Sequence, residues 1–305
     1  MNILVTGGSG FIGSHIVDLL LAAGHRVIIY DLESPKVPGK YDFVKGDVLD
    51  QQRLEVKSKG VDALYHVAAE ANVNRFYESP YYSNLVTSAS VLAVCEAAKR
   101  NNVSRVILAS TEWVYGSREG SAQPAITEEE PYPQEPDHLY TSSKIAGEMF
   151  IKNYRRLFGL NFTIARYGIP FGERARAETV TPMFMRRILR GEEITVHGDG
   201  RQARQFIYVK DLAAGNVACL SQNAVNEIFN INGKEMISVL DIVKTLEEIL
   251  QKKANVRFVE DRPGNFSGRV ISSEKARRLL GWEPRVSYRD AMRSYVDWFL
   301  KNEQW

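Results

Sequence analysis

Residues 2–13 read NILVTGGSGFIG, a run of strand composition that passes without a break into a glycine-spaced turn. The stretch that follows, FIGSHIVDLLLAAG (11–24), carries the apolar spacing of a helix. Gly7, Gly10 and Gly13 stand in a GxxGxxG arrangement at this strand-to-helix turn. Glycines there permit a tight bend and let a pyrophosphate approach the helix N-terminus, whose free N–H groups and dipole favour anions. RVIIYD (26–31) then reads as a second strand ending in Asp31. A carboxylate at that place accepts hydrogen bonds from an adenosine ribose and repels a 2′-phosphate, which points to NAD rather than NADP. GDV (46–48) ends another strand on the same edge, where Asp47 reads equally well as an adenine contact or as a turn residue.

Outward from this unit, strand-length apolar runs keep alternating with amphipathic helical stretches: ALYHVA, RVILAS and FTIAR. Because parallel strands covered on both faces are almost continuously apolar, the pattern predicts an α/β fold with a doubly wound parallel sheet over residues 1–170. The rhythm changes between Arg166 and Gly172. Beyond it lie a helix around MFMRRILRG, short strands (EITVHG, QFIYV, EIFNI, VRFVE) and helices at 238–252, 272–280 and 287–301. Residues 171–305 are therefore expected to form a smaller α+β lobe, with about 200–225 returning to the first domain. The Pro- and Glu-rich ITEEEPYPQEPDH (126–138) reads as a solvated connector.

Composition narrows the function classes. In 305 residues, 39 Lys+Arg against 37 Asp+Glu leave a formal charge of +2, with arginines scattered, so a nucleic-acid partner is not expected. No apolar run reaches membrane-spanning length, and a cytoplasmic protein is expected. Cys95 and Cys219 lack CxxC spacing and read as core residues of a reducing compartment. The five histidines show no ligand spacing, so no metal is expected, and each reads as a surface or loop residue.

YTSSK (140–144) places Tyr140 and Lys144 on one helical face. A phenol, with an ordinary pKa of about 10, is a weak base at neutral pH. An adjacent ammonium and an oxidised nicotinamide stabilise its phenolate and make it able to take a proton. Thr111, at the end of the preceding strand, supplies the third hydroxyl-bearing member.

Taken together, TGGSGFIG, HVAA (66–69), NLVT (84–87), STEWVYG (110–116), YTSSK, RYGIPFG (166–172), HGDGRQARQFIYVKDL (197–212), RPG (262–264) and LGWEP (280–284) resemble the extended short-chain dehydrogenase/reductase family, the nucleotide-sugar epimerases and dehydratases. That resemblance implies a Rossmann-type domain, NAD as cofactor and a nucleotide-sugar substrate. It gives Tyr140 the role of catalytic base, Lys144 that of its tuner and nicotinamide-ribose ligand, and Thr111 a hydrogen bond to the reacting sugar hydroxyl. The cofactor set it implies is Gly7, Gly10, Phe11, Ile12, Gly13, Asp31, Asp47, Val48, Ala68, Ala69, Asn84, Tyr140 and Lys144. Arg204 and Arg262 resemble the arginines that hold a nucleotide diphosphate, and Glu112 and Trp113 join Thr111 on the substrate side. A homodimer is implied, built from helices near 81–100 and 140–158.

The chain also departs from the family pattern. Ile169 replaces an Asn of RYFNVYG, and the acidic residues that normally follow RPG are missing. Dehydratases of the family resemble STDEVYG, with an acid and a base after the Thr. Here Glu112 fills the first place and Trp113 the second, and an indole cannot remove a C5 proton. The expected activity is therefore isomerisation by a UDP-sugar 4-epimerase, on glucose/galactose, a uronate or an N-acetyl sugar, through a 4-keto intermediate. The alternatives are a 4,6-dehydratase or decarboxylase and, from another class, a non-catalytic NAD sensor or scaffold. Arg75, Arg174 and Arg176 are further specificity candidates.

Overall fold

A computed structural model describes residues 1–116, 124–261 and 268–303. The apolar runs assemble into a seven-stranded sheet in the order Glu227–Ile231, Phe162–Tyr167, Arg105–Thr111, Ala63–His66, Asn2–Thr6, Arg26–Asp31 and Asp42–Lys45. Every neighbouring pair in it is parallel. The order reverses between Asn2–Thr6 and Ala63–His66, which opens a crevice at the carboxyl ends of these strands. Arg105–Thr111 and Phe162–Tyr167 are buried at every residue, which is why they read as unbroken runs rather than as alternation. Period-two geometry sends Ile3 and Val5 into one core with Leu20, Leu212 and Phe229, and Leu4 into the opposite one with Val94, Leu108 and Ile164.

The remaining strands form a three-stranded sheet, Met236–Ser238, Ala203–Tyr208 and Ile169–Phe171, and a parallel pair, Asn255–Val259 with Glu193–His197. Around them the helices Val180–Arg190, Val239–Leu250 and Tyr288–Asn302 enclose a third core. The chain crosses between the two parts more than once. Helix Val209–Ala218 packs on the first helix, Phe11–Ala22, and Glu227–Ile231, read above among the short strands of the second half, is an edge strand of the main sheet.

Three local readings need correction. His66 is 2% exposed, hydrogen-bonded to Thr6 Oγ1 (2.8 Å) and Ser90 Oγ (3.0 Å), and burial pushes it down to about 3, so it is a neutral core residue. His15 is likewise buried, with Nε2 2.9 Å from the Glu173 carbonyl. The segment 126–138 is not solvated throughout: Ile126 bridges to Ile271 inside a small core with Tyr115, Glu128 accepts from Asn230 N (2.7 Å), and Tyr132 donates to Glu148 (2.8 Å). Cys95 and Cys219 are buried free thiols. Among the described residues no helix is long and apolar enough to cross a membrane, and no cluster of His, Cys, Asp and Glu is set to hold a metal ion.

Candidate active site

A cleft of about 430 Å³ lies at the sheet's switch point, walled by Gly7, Gly10–Gly13, Asp31, Asp47, Val48 and Val67–Ala71, with Tyr82, Val86 and Arg176 on the far side. Gly7 holds φ +72°, and a Cβ on Gly13 would stand 2.0 Å from the Gly7 carbonyl oxygen, so the turn closes only with glycine at both places. Helix Phe11–Ala22 begins at Gly10 with no side-chain cap and no acidic residue in its first turn. Its first N–H groups therefore face the cleft without a protein partner, and the buried Ser9 Oγ beside them has none either. An uncapped helix start with an orphaned hydroxyl fits a dinucleotide pyrophosphate. Asp31 is held by the backbone N–H groups of Ser9 (2.9 Å) and Glu33 (3.1 Å) and lines the cleft. Asp47 both lines the cleft and accepts from Leu49 N (2.9 Å), so its two readings coexist.

Asn84 does not line this cleft. Its amide donates to the Pro80 carbonyl (2.9 Å) and accepts from Ser143 Oγ, tying the 80–84 helix to the helix Leu139–Phe158. Tyr82 and Val86, to either side of it, supply the wall instead.

Thr111 and Tyr140 meet by a side-chain hydrogen bond, Thr111 from the end of a buried strand and Tyr140 from the first turn of that long helix. Residues next to this pair wall two spaces, the cleft and a second hollow. Arg176, whose charge acts on Tyr140, walls the cleft, while Glu112, Trp113 and Thr141, their chain neighbours, wall the hollow. Phe76 and Trp113 pack edge-on to the Tyr140 ring at 5.7 and 6.0 Å. Burial pushes the phenol up to about 12, opposed by the Thr111 hydrogen bond and by Arg176. Lys144 Nζ donates to the Ala109 carbonyl (3.1 Å) and lies 5.9 Å from the Tyr140 ring centre. Burial pulls the ammonium down to about 8, and the nearby Glu148 carboxylate opposes that shift. Tyr140 thus has two cations near it, Lys144 on its own helix and Arg176 from the wall of the cleft.

Glu148 occupies the next turn of the same helix and is fully buried. It accepts from Arg166 Nε (3.0 Å) and Nη2 (2.8 Å), from Ser110 Oγ (2.5 Å) and from Tyr132 Oη (2.8 Å). Burial alone would raise this carboxyl, but Arg166 holds it below the ordinary carboxylate range. Ser110 directly precedes Thr111 and pairs in register with Arg166, so one carboxylate anchors the Tyr140 helix to the Thr111 strand.

The second hollow, about 100 Å³, is lined by Glu112, Trp113, His138, Arg204 and Arg269 among others. Glu112 is 9% exposed, its Oε2 has no partner, and burial pushes it up to about 8 against the opposing charge of Arg204. The Trp113 and His138 rings pack at a tilt of 43°, their centres 5.4 Å apart.

The description "NAD dependent epimerase/dehydratase family" fits residues 3–232. The chain belongs to that family. A UDP-glucose 4-epimerase from Thermotoga maritima, solved with UDP-glucose, superposes with a TM-score of 0.92 at 31% identity over 99% of both chains. A UDP-glucuronic acid 4-epimerase from Bacillus cereus, solved with UDP-glucuronic acid and NAD, gives 0.89 at 29% identity over 99% of both. A dTDP-glucose 4,6-dehydratase of Streptomyces niveus is 30% identical over 325 residues, covering all of this chain and 94% of that one. The chain is thus an NAD-dependent epimerase/dehydratase.

Several residues that wall the hollow or brace the Tyr140 helix escaped the sequence. Arg166 and Arg269 come from separate segments, and only the folded chain brings Arg166 to Glu148 and Arg269 to the hollow of Glu112, while His138 and Glu148 flank Tyr140 along its own helix without a motif of their own. Of the three arginines named as specificity candidates, only Arg176 reaches the site. Arg174 pairs with Asp18 (2.6 Å) and Arg75 with Glu78 (3.8 Å). Arg262 lies outside the described residues.

Proposed function

We propose that the chain is a nucleotide-sugar 4-epimerase acting on a UDP-hexose. The observation that carries this reading is Trp113. An indole packed edge-on to Tyr140 stands where elimination of water needs a carboxylate, while the hydroxyl pair that serves the C4 proton is intact. NAD, when bound, would supply the hydride acceptor and donor and a positive charge that favours the phenolate. Tyr140 Oη takes the C4 hydroxyl proton and gives it back, Thr111 Oγ1 holds that hydroxyl in line, and Lys144 and Arg176 favour the phenolate. Arg204, with Arg262, binds the anionic part of the substrate through guanidinium N–H groups. The two solved epimerases, both carrying UDP-sugars, support the choice of nucleotide.

A second reading, 4,6-dehydration, is favoured by Glu112, because a carboxyl held up to about 8 keeps a proton to give a leaving hydroxyl. Product mass separates the two. Incubation of the NAD-loaded protein with UDP-, dTDP- and GDP-hexoses should yield an isomer of unchanged mass from a UDP-hexose. A product lighter by water replaces the epimerase with the dehydratase, and no turnover of any sugar leaves the sensor.

The epimerase is proposed to be a two-fold dimer. Tyr81, Leu92, Met149, Leu157 and Phe158 are exposed apolar residues on or beside the adjoining helices Ser90–Arg100 and Leu139–Phe158. Sedimentation equilibrium should report twice the chain mass, and a value near 34.5 kDa would remove the dimer.

A further inference from the structure

One wall of the second hollow is held in place by a side chain. Residues 268–273 run past the hollow, and Gly268, Arg269 and Ile271 help to line it. One edge of this run is paired by backbone: Ile126 N donates to the Val270 carbonyl (2.8 Å), and Ser272 N donates to the Ile126 carbonyl (2.8 Å). A parallel bridge made this way uses the groups of residues 270 and 272 and leaves the N–H and C=O of Ile271 on the opposite edge. Gln205 takes both of them. Its Oε1 accepts from Ile271 N (2.8 Å), and its Nε2 donates to the Ile271 carbonyl (3.3 Å) and to the Gly233 carbonyl.

The place of this amide in the chain gives it a function. Gln205 is 5% exposed and directly follows Arg204 on the strand Ala203–Tyr208. On the other side of Arg204, the Ala203 carbonyl accepts from Gly268 N (2.9 Å). The segment is therefore stitched to the strand both before and after Arg204. It passes so near that a Cβ on Gly268 would stand 3.4 Å from Arg204 Cδ. Arg269 follows Gly268, so the stitches also fix where Arg269 enters the wall. An apolar side chain at 205 could fill the same space at no cost in buried polar groups. An amide whose N–H groups and oxygen are all engaged adds direction, and most of that direction is spent on Ile271.

We propose that Gln205 is a positioning residue for the nucleotide-sugar: its amide sets segment 268–273 against the Arg204 strand and so fixes the wall on which the substrate closes. The proposal rests on Arg204 binding the substrate and is indifferent to whether the sugar is then epimerised or dehydrated. NAD-loaded Gln205→Met should bind UDP-glucose about tenfold more weakly than the native protein, while NAD content and kcat at saturating sugar stay within about twofold. Affinity equal to the native value overturns the proposal. A parallel loss of NAD content, kcat and affinity would mean that Gln205 only holds the fold together, and overturns it too. A product lighter by water, with the affinity loss intact, overturns only the epimerase. No binding of UDP-glucose by the native protein would take the substrate out of this hollow and remove both readings.

Hydrogen exchange on the native NAD-loaded protein supplies a check that does not depend on how the variant folds. Saturating UDP-glucose should slow deuterium uptake across 268–273 about threefold or more, because a wall that meets the substrate opens less often once it is bound. Uptake unchanged by UDP-glucose overturns the proposal.

Discussion

Replacing Tyr140 with Phe should lower kcat by about 10²–10⁴-fold while NAD content and substrate KM stay near their native values. The ring is held edge-on by Phe76 and Trp113, so the variant keeps its packing and loses only Oη. That oxygen makes the hydrogen bond to Thr111 and is the atom on which the charge of Arg176 acts. Burial holds the phenol near 12 in the protein alone, so proton removal depends on the positive charges gathered round it, and no neighbouring group replaces it as base. Lys144, buried and donating to the Ala109 carbonyl, is a donor while protonated. Steady-state turnover with a UDP-hexose, alongside NAD released on denaturation, checks this. Retention of more than about a tenth of native kcat would remove Tyr140 from the base position.

How much of this was legible in the sequence depends on how local each signal is. The glycine turn, Asp31 and the 140/144 pair are set by short-range geometry, and residues a few positions apart in a βα unit or a helical turn cannot fall far from one another. Asn84 shows the limit. The resemblance put it in the cofactor set, but its side-chain direction depends on the π-helical turn Leu85–Ala89 and on Ser143, and neither leaves a mark in the pattern. Segment 126–138 misled for a related reason. Its proline and glutamate content is that of a solvated loop, and only tertiary partners, Ile271, Asn230 and Glu148, reveal that Ile126, Glu128 and Tyr132 are inside. The hollow by Glu112 was illegible because its walls converge from segments that share no motif. Trp113 was readable by comparison with the family pattern, whereas the orphaned Glu112 Oε2 was not.

Breaking the Arg166–Glu148 pair should cost about 3–5 kcal/mol of stability, because either partner alone is an uncompensated charge in a dry interior. Arg166 is 2% exposed and Glu148 0%, so solvent cannot take over the lost bonds. Glu148→Met should therefore lower the urea midpoint sharply. Glu148→Met with Arg166→Met should recover much of the loss, since the double variant buries no charge. Additive destabilisation in the double variant would mean that the pair is worth no more than its packing. The carboxyl is held below its unfolded value, so its contribution is complete at neutral pH and disappears as acid protonates it, and the native protein should lose this increment at low pH while the double variant does not. Activity should respond as well. Glu148 is the charge that opposes the burial shift on Lys144, whose ammonium is lost near pH 8. In Glu148→Gln, which stays nearly isosteric, the alkaline fall of kcat should move to lower pH, and an unchanged alkaline limb would restrict the carboxylate to holding strand and helix together. A single buried carboxylate would then set both the register of Thr111 against Tyr140 and the protonation of the lysine that serves them, which gives the chemistry a reason to keep an ion pair that an apolar core would otherwise replace.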